Sequence, residues 1–207
     1  HPVETRWRPP PARGRDAAPA GRVAATIREA LTAEPGSVLA FLPGMGEIRK
    51  AEQALKSGDL PGDVRLHALH GSLPAVEQDA AIRPAPEDQR KVVLATNIAE
   101  SSLTIDGIRI VVDSGAERAP SFEPATGLTR LVTRPISRAS ADQRRGRAGR
   151  TEPGVCYRLW AEAAHGARDA EIPPEIQHAD LAGLMLELAA WGVSDPAALT
   201  WLDPPPP

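Results

Sequence analysis

The chain has 207 residues, 42% of them hydrophobic, and a formal net charge of -3 at pH 7. That suits one medium domain plus a small extra piece, and no stretch approaches the roughly 18 consecutive apolar residues that span a membrane. The total charge gives no ground for a nucleic-acid partner, and a single cysteine, Cys156, excludes an internal disulfide and a cysteine-based metal site.

The opening "HPVETRWRPP" has no apolar core and no initiator Met, so it reads as a partial or processed chain without a signal peptide. Residues 8–20, rich in Pro, Ala, Gly and Arg, read as a flexible linker. In "AGRVAATIREALTA", Val23, Ile27 and Leu31 keep helical spacing. "SVLAFLP" (37–43) is a short apolar run and reads as a buried strand, followed by a helix marked by Met45, Ile48, Ala51 and Leu55. "VRLHAL" (64–69) predicts a strand, "PAVEQDAAI" (74–82) a helix with Pro in its first turn, and "KVVLAT" (91–96) and "IRIVVD" (108–113) two more strands.

Strands alternating with helices predict a parallel α/β sheet covered on both faces. Ligands in such sheets sit beyond the carboxyl ends of the strands. The loops after Leu42, Leu69, Thr96 and Val112 are therefore the ones to watch. Residues 116–133 then read as a β-hairpin about a Pro/Gly turn, and "GVCYRLW" (154–160) as a last strand. "IPPEI" breaks the chain, and Leu181, Leu184, Met185, Leu188 and Trp191 form an apolar helical stripe stopped by Gly192.

Positive charge is concentrated between Arg130 and Arg150, which hold seven arginines and one acid, Asp142. At its end stands "QRRGRAGR" (143–150), with two glycines that weaken a helix and four arginines that repel one another. Ser140 and Gln143 have the spacing of a capping box. On a helix begun there, Gln143, Arg147 and Arg150 share one face, while Gly146 and Gly149 clear the way for a large anionic partner. A solvated basic face, a nucleic-acid grip and a phosphate site all remain open for this octet.

"ATNIAESSLTIDG" (95–107) starts at a strand end and carries Thr96, Asn97, Ser101, Ser102, Thr104 and Asp106. Such groups bind phosphate oxygens without sequence preference, or simply cap an ordinary polar loop. "LHGSLP" (69–74) offers Gly71, Ser72 and a helix start, which suits a phosphate or a routine turn.

Together, "FLPGMGEI", "LHGSLPAVEQ", "ATNIAESSLTIDGI" and "QRRGRAGR" resemble, in order and spacing, the second RecA-like domain of DEAH-box helicases of superfamily 2, and "HPVETRW" and "IRPAPEDQRKVVLATNIAE" look most like the bacterial HrpB branch. DEAD-box proteins lack the "NIAESSLTI" form. The resemblance runs from about Ser37 to Pro206. It implies an α/β fold, a RecA-like parallel sheet flanked by helices with an inserted hairpin. It also divides the chain into a linker from a first lobe (1–20), the second RecA-like domain (21–168) and the truncated helical start of a winged-helix domain (169–207).

The resemblance further implies an ATP-dependent RNA helicase, with ATP and Mg²⁺ between two lobes and the metal ligands in the first. Arg147 and Arg150 match arginine fingers, joined by Gln143 at the phosphates. Thr104 and Asp106 match positions that hold the nucleotide, and Ser102 one that responds to its state. Ile82 stands where many relatives stack a Phe on the base. Thr96, Asn97, Gly71 and Ser72 match contacts to single-stranded RNA, and the hairpin an element that guides strands.

A cytoplasmic, membrane-free setting follows from the same resemblance. No Walker A lysine and no DExH box occur in these 207 residues, so the chain alone is expected not to hydrolyse ATP. The other reading is a RecA-like module that binds nucleic acid or protein without catalysis.

Overall fold

The computed structural model describes residues 1–11, 19–100, 103–123 and 125–206. Its chain divides into two compact units, His1–Glu117 with Pro135–Glu171, and Arg118–Arg134 with Ile172–Pro207.

The first unit is built on six strands: β1 (Val3–Trp7), β2 (Ser37–Phe41), β3 (Val64–Leu69), β4 (Arg90–Ala95), β5 (Ile108–Asp113) and β8 (Gly154–Arg158). They pair in the order β1-β8-β5-β2-β4-β3, and every pairing is parallel. All six carboxyl ends therefore leave the sheet at one edge.

Strand alternation divides the core into two layers. Val38, Ala40, Val92, Leu94, Ile110 and Val112 bury against α1 (Pro19–Ala33) and α2 (Met45–Lys56), which present Val23, Ile27, Ile48, Ala51 and Leu55. Leu39, Phe41, Val93, Ala95 and Val111 face the other way, onto Ala81 of α3 (Ala75–Ile82), Ala99, Ile105 and Ala148. One face is thus closed by two amphipathic helices. The other is closed by one short helix and by the segments that carry the polar motifs.

Two sequence expectations change here. Residues 1–20 do not form a linker throughout, because Val3–Trp7 is an edge strand in register with Gly154–Arg158. Trp7 anchors it, edge-on to Trp160 at 5.8 Å, with the Arg158 guanidinium 5.2 Å from its ring centre. The capping box at Ser140 is also displaced. Helix α4 is Arg138–Gly146, and its N-cap is Ser137, whose hydroxyl accepts the Ser140 N–H at 3.1 Å.

In the second unit, β7 (Leu128–Pro135) pairs with β6 (Ala116–Glu123), whose first residues belong to the first unit. Helix α5 (Ala182–Ala190) stops before Gly192, at φ +82°, and Val193 N–H reaches back to the Leu188 carbonyl at 2.9 Å. Of the predicted apolar stripe only Leu188 is buried, while Leu181 and Leu184 are half-buried and Met185 and Trp191 lie exposed. Among the described residues no helix is long and apolar enough to cross a membrane.

Candidate functional site

The carboxyl edge of the sheet gathers several of the predicted residues. Strands β3 and β4 are in register, with Leu69 opposite Ala95, so the turn after β3 and the turn after β4 emerge side by side. Gly71 and Ser72 lie exposed on the first. The Ser72 N–H bonds to His70 Nδ1 at 3.1 Å and the Leu73 N–H to the His70 carbonyl at 3.0 Å, so both amides are already used within the turn. Thr96 is buried and Asn97 exposed on the second, where a single 3₁₀ turn, Asn97–Ala99, leads to Glu100.

The arginine octet closes over this segment. Helix α4 ends at Gly146 and tightens into a 3₁₀ turn at Arg147–Gly149, so the regular face expected for Gln143, Arg147 and Arg150 is not kept. Gln143 and Arg150 are exposed, whereas Arg147 turns inward and is 6% exposed. Its guanidinium donates to the Glu100 carbonyl through Nε, at 2.9 Å, and through Nη2, and to the Leu103 carbonyl through Nη1. Arg150 Nη1 donates to Thr104 Oγ1 at 2.7 Å. Burial and the nearby Arg150 charge push the Arg147 pKa down, against a smaller pull from Glu100.

The residue that sequence reasoning left without a role is Arg144. It is 1% exposed, and its Nε meets Glu100 Oε2 at 2.9 Å while Nη1 meets Asp113 Oδ1 at 3.1 Å. Its guanidinium stands 4.8 Å from the Phe41 ring centre. Arg144 therefore plugs the carboxyl ends of the central strands β2 and β5. Burial works against its charge, but Asp113 and Glu100 outweigh it and raise its pKa. Local sequence held one signal: Ser140 and Ala141 place small residues on the side of α4 that also carries Arg144, and both are buried.

One of the octet's glycines, Gly149, has a plainer reason than an anionic partner. A Cβ on Gly149 would lie 2.7 Å from the His1 carbonyl oxygen and 2.6 Å from Val3 Cγ2, whereas one on Gly146 would meet nothing within 4 Å. The close approach at Gly149 is made by the chain's own first residues.

Two predicted positions sit at the opposite, amino edge of the same face. Ile82 ends α3 and is half-buried against the second core layer, and Asp106 is exposed just before β5. Between them stands Lys91, 2% exposed, whose Nζ donates to the Ala81, Ile82 and Arg83 carbonyls at 3.0, 3.2 and 2.6 Å. An ammonium closing the last carbonyls of a helix is favourable. Burial pushes the Lys91 pKa down and Asp106 pulls it back up. The carboxyl-end rule therefore covers Gly71, Ser72, Thr96 and Asn97 but not Ile82 or Asp106. Ser102 lies outside the described residues.

Cys156 is fully buried, and burial raises its thiol to about 12, so it stays protonated. Among the described residues no group of three or more His, Cys, Asp or Glu is arranged to hold a metal ion.

Residues 22–152 match the model of the helicase conserved C-terminal domain. The chain belongs to the helicase conserved C-terminal domain family. Its relatives in this family include the ATP-dependent RNA helicase HrpB of Escherichia coli, 52% identical over 99% of this chain and 25% of that protein. The pre-mRNA-splicing factor ATP-dependent RNA helicase prp22 of Schizosaccharomyces pombe is 44% identical over 85% of this chain and 16% of its own length. A crystal structure of the Escherichia coli DEAH/RHA helicase HrpB superposes with a TM-score of 0.92 at 51% identity, covering 99% of this chain and 26% of that one. The six-stranded sheet with its helices is thus the RecA-like α/β fold of this helicase domain. The chain spans about a quarter of the length of these HrpB relatives.

Proposed function

We propose that this chain is the C-terminal motor lobe of an ATP-dependent RNA helicase. The observation that carries the reading is the single charged face on which Arg147, Arg150 and Thr104 meet the segment that continues from Thr96 and Asn97. One structural segment thus serves both a phosphate-directed arginine group and a strand-end polar turn.

The residues fit an anionic nucleotide. Arg150 is exposed with one donor on a hydroxyl, and Arg147 spends its donors on neutral carbonyls, which are weaker acceptors than phosphate oxygens. In this reading Arg147 and Arg150 are arginine fingers that stabilise charge on a transferring phosphoryl group. Gln143 lies exposed one turn before them. Ser102, Thr104 and Asp106 hold the nucleotide, and Ile82 packs on its base without the stacking of an aromatic. Mg²⁺ is held by the first lobe and the phosphates.

Thr96, Asn97, Gly71 and Ser72 grip the backbone of single-stranded RNA, so binding is sequence-tolerant and weakens with salt. The hairpin of β6 and β7 guides the strand, residues 169–207 begin a winged-helix domain, and the first RecA-like lobe is the partner that completes the site. The helicase acts in the cytoplasm.

The test is ATP hydrolysis by the complete protein with and without single-stranded RNA, together with RNA affinity at two salt concentrations. Hydrolysis is expected to rise with RNA and affinity to fall with salt. Hydrolysis indifferent to RNA would favour a non-catalytic binding module.

A further inference from the structure

Glu100 is tied at three points. Its N–H donates to the Asn97 carbonyl at 2.9 Å. Its carboxylate accepts from Arg144 Nε at 2.9 Å, with 11% of the side chain exposed. Its carbonyl accepts from Arg147, through Nε at 2.9 Å and through Nη2. No other residue of the 96–104 segment is held at once by the strand-end turn, by the buried Arg144 and by Arg147 among the described residues.

The three bonds differ in permanence. Arg144 is locked, because it also bonds to Asp113 Oδ1 and lies over Phe41 in a sealed site. Breaking it would leave buried carboxylates without their partner, which is strongly unfavourable. Arg147 is different. Its hydrogen bonds to Glu100 both end on the neutral carbonyl oxygen, and charged phosphate oxygens attract a guanidinium more strongly. Arg147 can therefore be drawn from one set of acceptors to another, while Arg144 keeps the Glu100 side chain in place as a pivot.

We propose that Glu100 is a positioning residue that couples the Thr96–Asn97 turn to the arginine segment, its carboxylate pivoting on Arg144 and its carbonyl acting as the seat that Arg147 leaves when nucleotide engages. The inference rests on the helicase-lobe reading above. It deepens that reading by naming the residue through which RNA binding and nucleotide binding influence each other. Such coupling is reciprocal, so it is measurable as a ratio of affinities and needs no turnover.

The experiment uses the complete protein, a fluorescein-labelled oligouridylate and adenylyl imidodiphosphate with Mg²⁺. RNA affinity is measured with and without the analogue, and the ratio is the coupling. Glu100→Gln keeps the volume and the backbone carbonyl, and it leaves Arg144 with Asp113 as its charged partner. Its ratio is expected to move toward 1 by about tenfold, within the usual range for coupling between sites. A purely structural role would weaken both affinities together and leave the ratio alone. Glu100→Asp keeps the charge with a shorter reach, and its ratio should fall between the two.

A wild-type ratio in Glu100→Gln, or in Glu100→Asp should the first variant not fold, overturns the proposal while leaving the lobe reading intact. Failure of both variants to fold also overturns it, because Glu100 would then be a stability residue. A wild-type protein that binds neither RNA nor nucleotide overturns the lobe reading and this inference with it.

Discussion

The two faces of one sheet are built on different principles. The face under α1 and α2 is closed by Val23, Ile27, Ile48, Ala51 and Leu55, all essentially inaccessible to solvent. The opposite face also buries an apolar layer, but it is fastened by charge, with Arg144 on Glu100 and Asp113, Arg147 on loop carbonyls and Lys91 on the end of α3. Apolar burial is non-directional and tolerates rearrangement. Buried ionic groups are directional and unforgiving when one member is lost. The first face is a platform, and the second holds its segments by directional contacts.

The largest effect that would sharpen this contrast comes from removing one member of the ionic set. Arg144→Met should lower unfolding free energy by about 3–5 kcal/mol, since Glu100 and Asp113 lose their shared cation. Denaturant unfolding of the chain measures it, and a cost under about 1 kcal/mol would break the contrast.

On the platform face a volume-conserving change should be cheap. Ile48→Leu is expected to cost less than about 1.5 kcal/mol in the same assay. A cost equal to that of Arg144→Met would mean that the two faces are equally rigid.

The smallest effect is on pH dependence. His67 lies on the charged face, and burial first, then Lys91, lowers its pKa below the ordinary 6.5. His165 is lowered too, by burial and then by Arg158. As pH falls through 6.5 the unfolded chain takes up protons that the folded chain resists. Stability is therefore full above 6.5 and declines between 6.5 and the lowered folded values. Thermal midpoints should drop over that interval, and His67→Gln should flatten the slope. A wild-type midpoint that rises on acidification would contradict the assignment.

Much of the fold was readable because its strands are short, apolar and bounded by turn residues. The strands 64–69 and 108–113 match β3 and β5 end to end. β1 escaped because Glu4, Thr5 and Arg6 make it mostly polar and a Pro-rich stretch follows. Its pairing partner β8 lies about 150 positions away, at Gly154–Arg158. The site was half legible. The stretches "ATNIAESSLTIDG" and "QRRGRAGR" mark both segments, but single arginines look alike in sequence. What buries Arg144 is a pair of carboxylates 44 and 31 positions upstream, and no local pattern reveals that. The cap at Ser137 was missed because Ser140 offered the better-known spacing to Gln143.

The central claim, that the charged face serves phosphoryl transfer, is tested most directly at Arg150. It is exposed, and among the described residues its side chain donates to Thr104, so truncation breaks no bond of the Arg144–Glu100–Asp113 set. RNA-stimulated ATP hydrolysis by the complete protein should be compared between wild type and Arg150→Ala, with nucleotide affinity measured in both. The account predicts a fall of roughly 10³-fold with affinity largely kept. Hydrolysis at the wild-type rate would contradict it and leave the octet as a structural clamp with a basic surface.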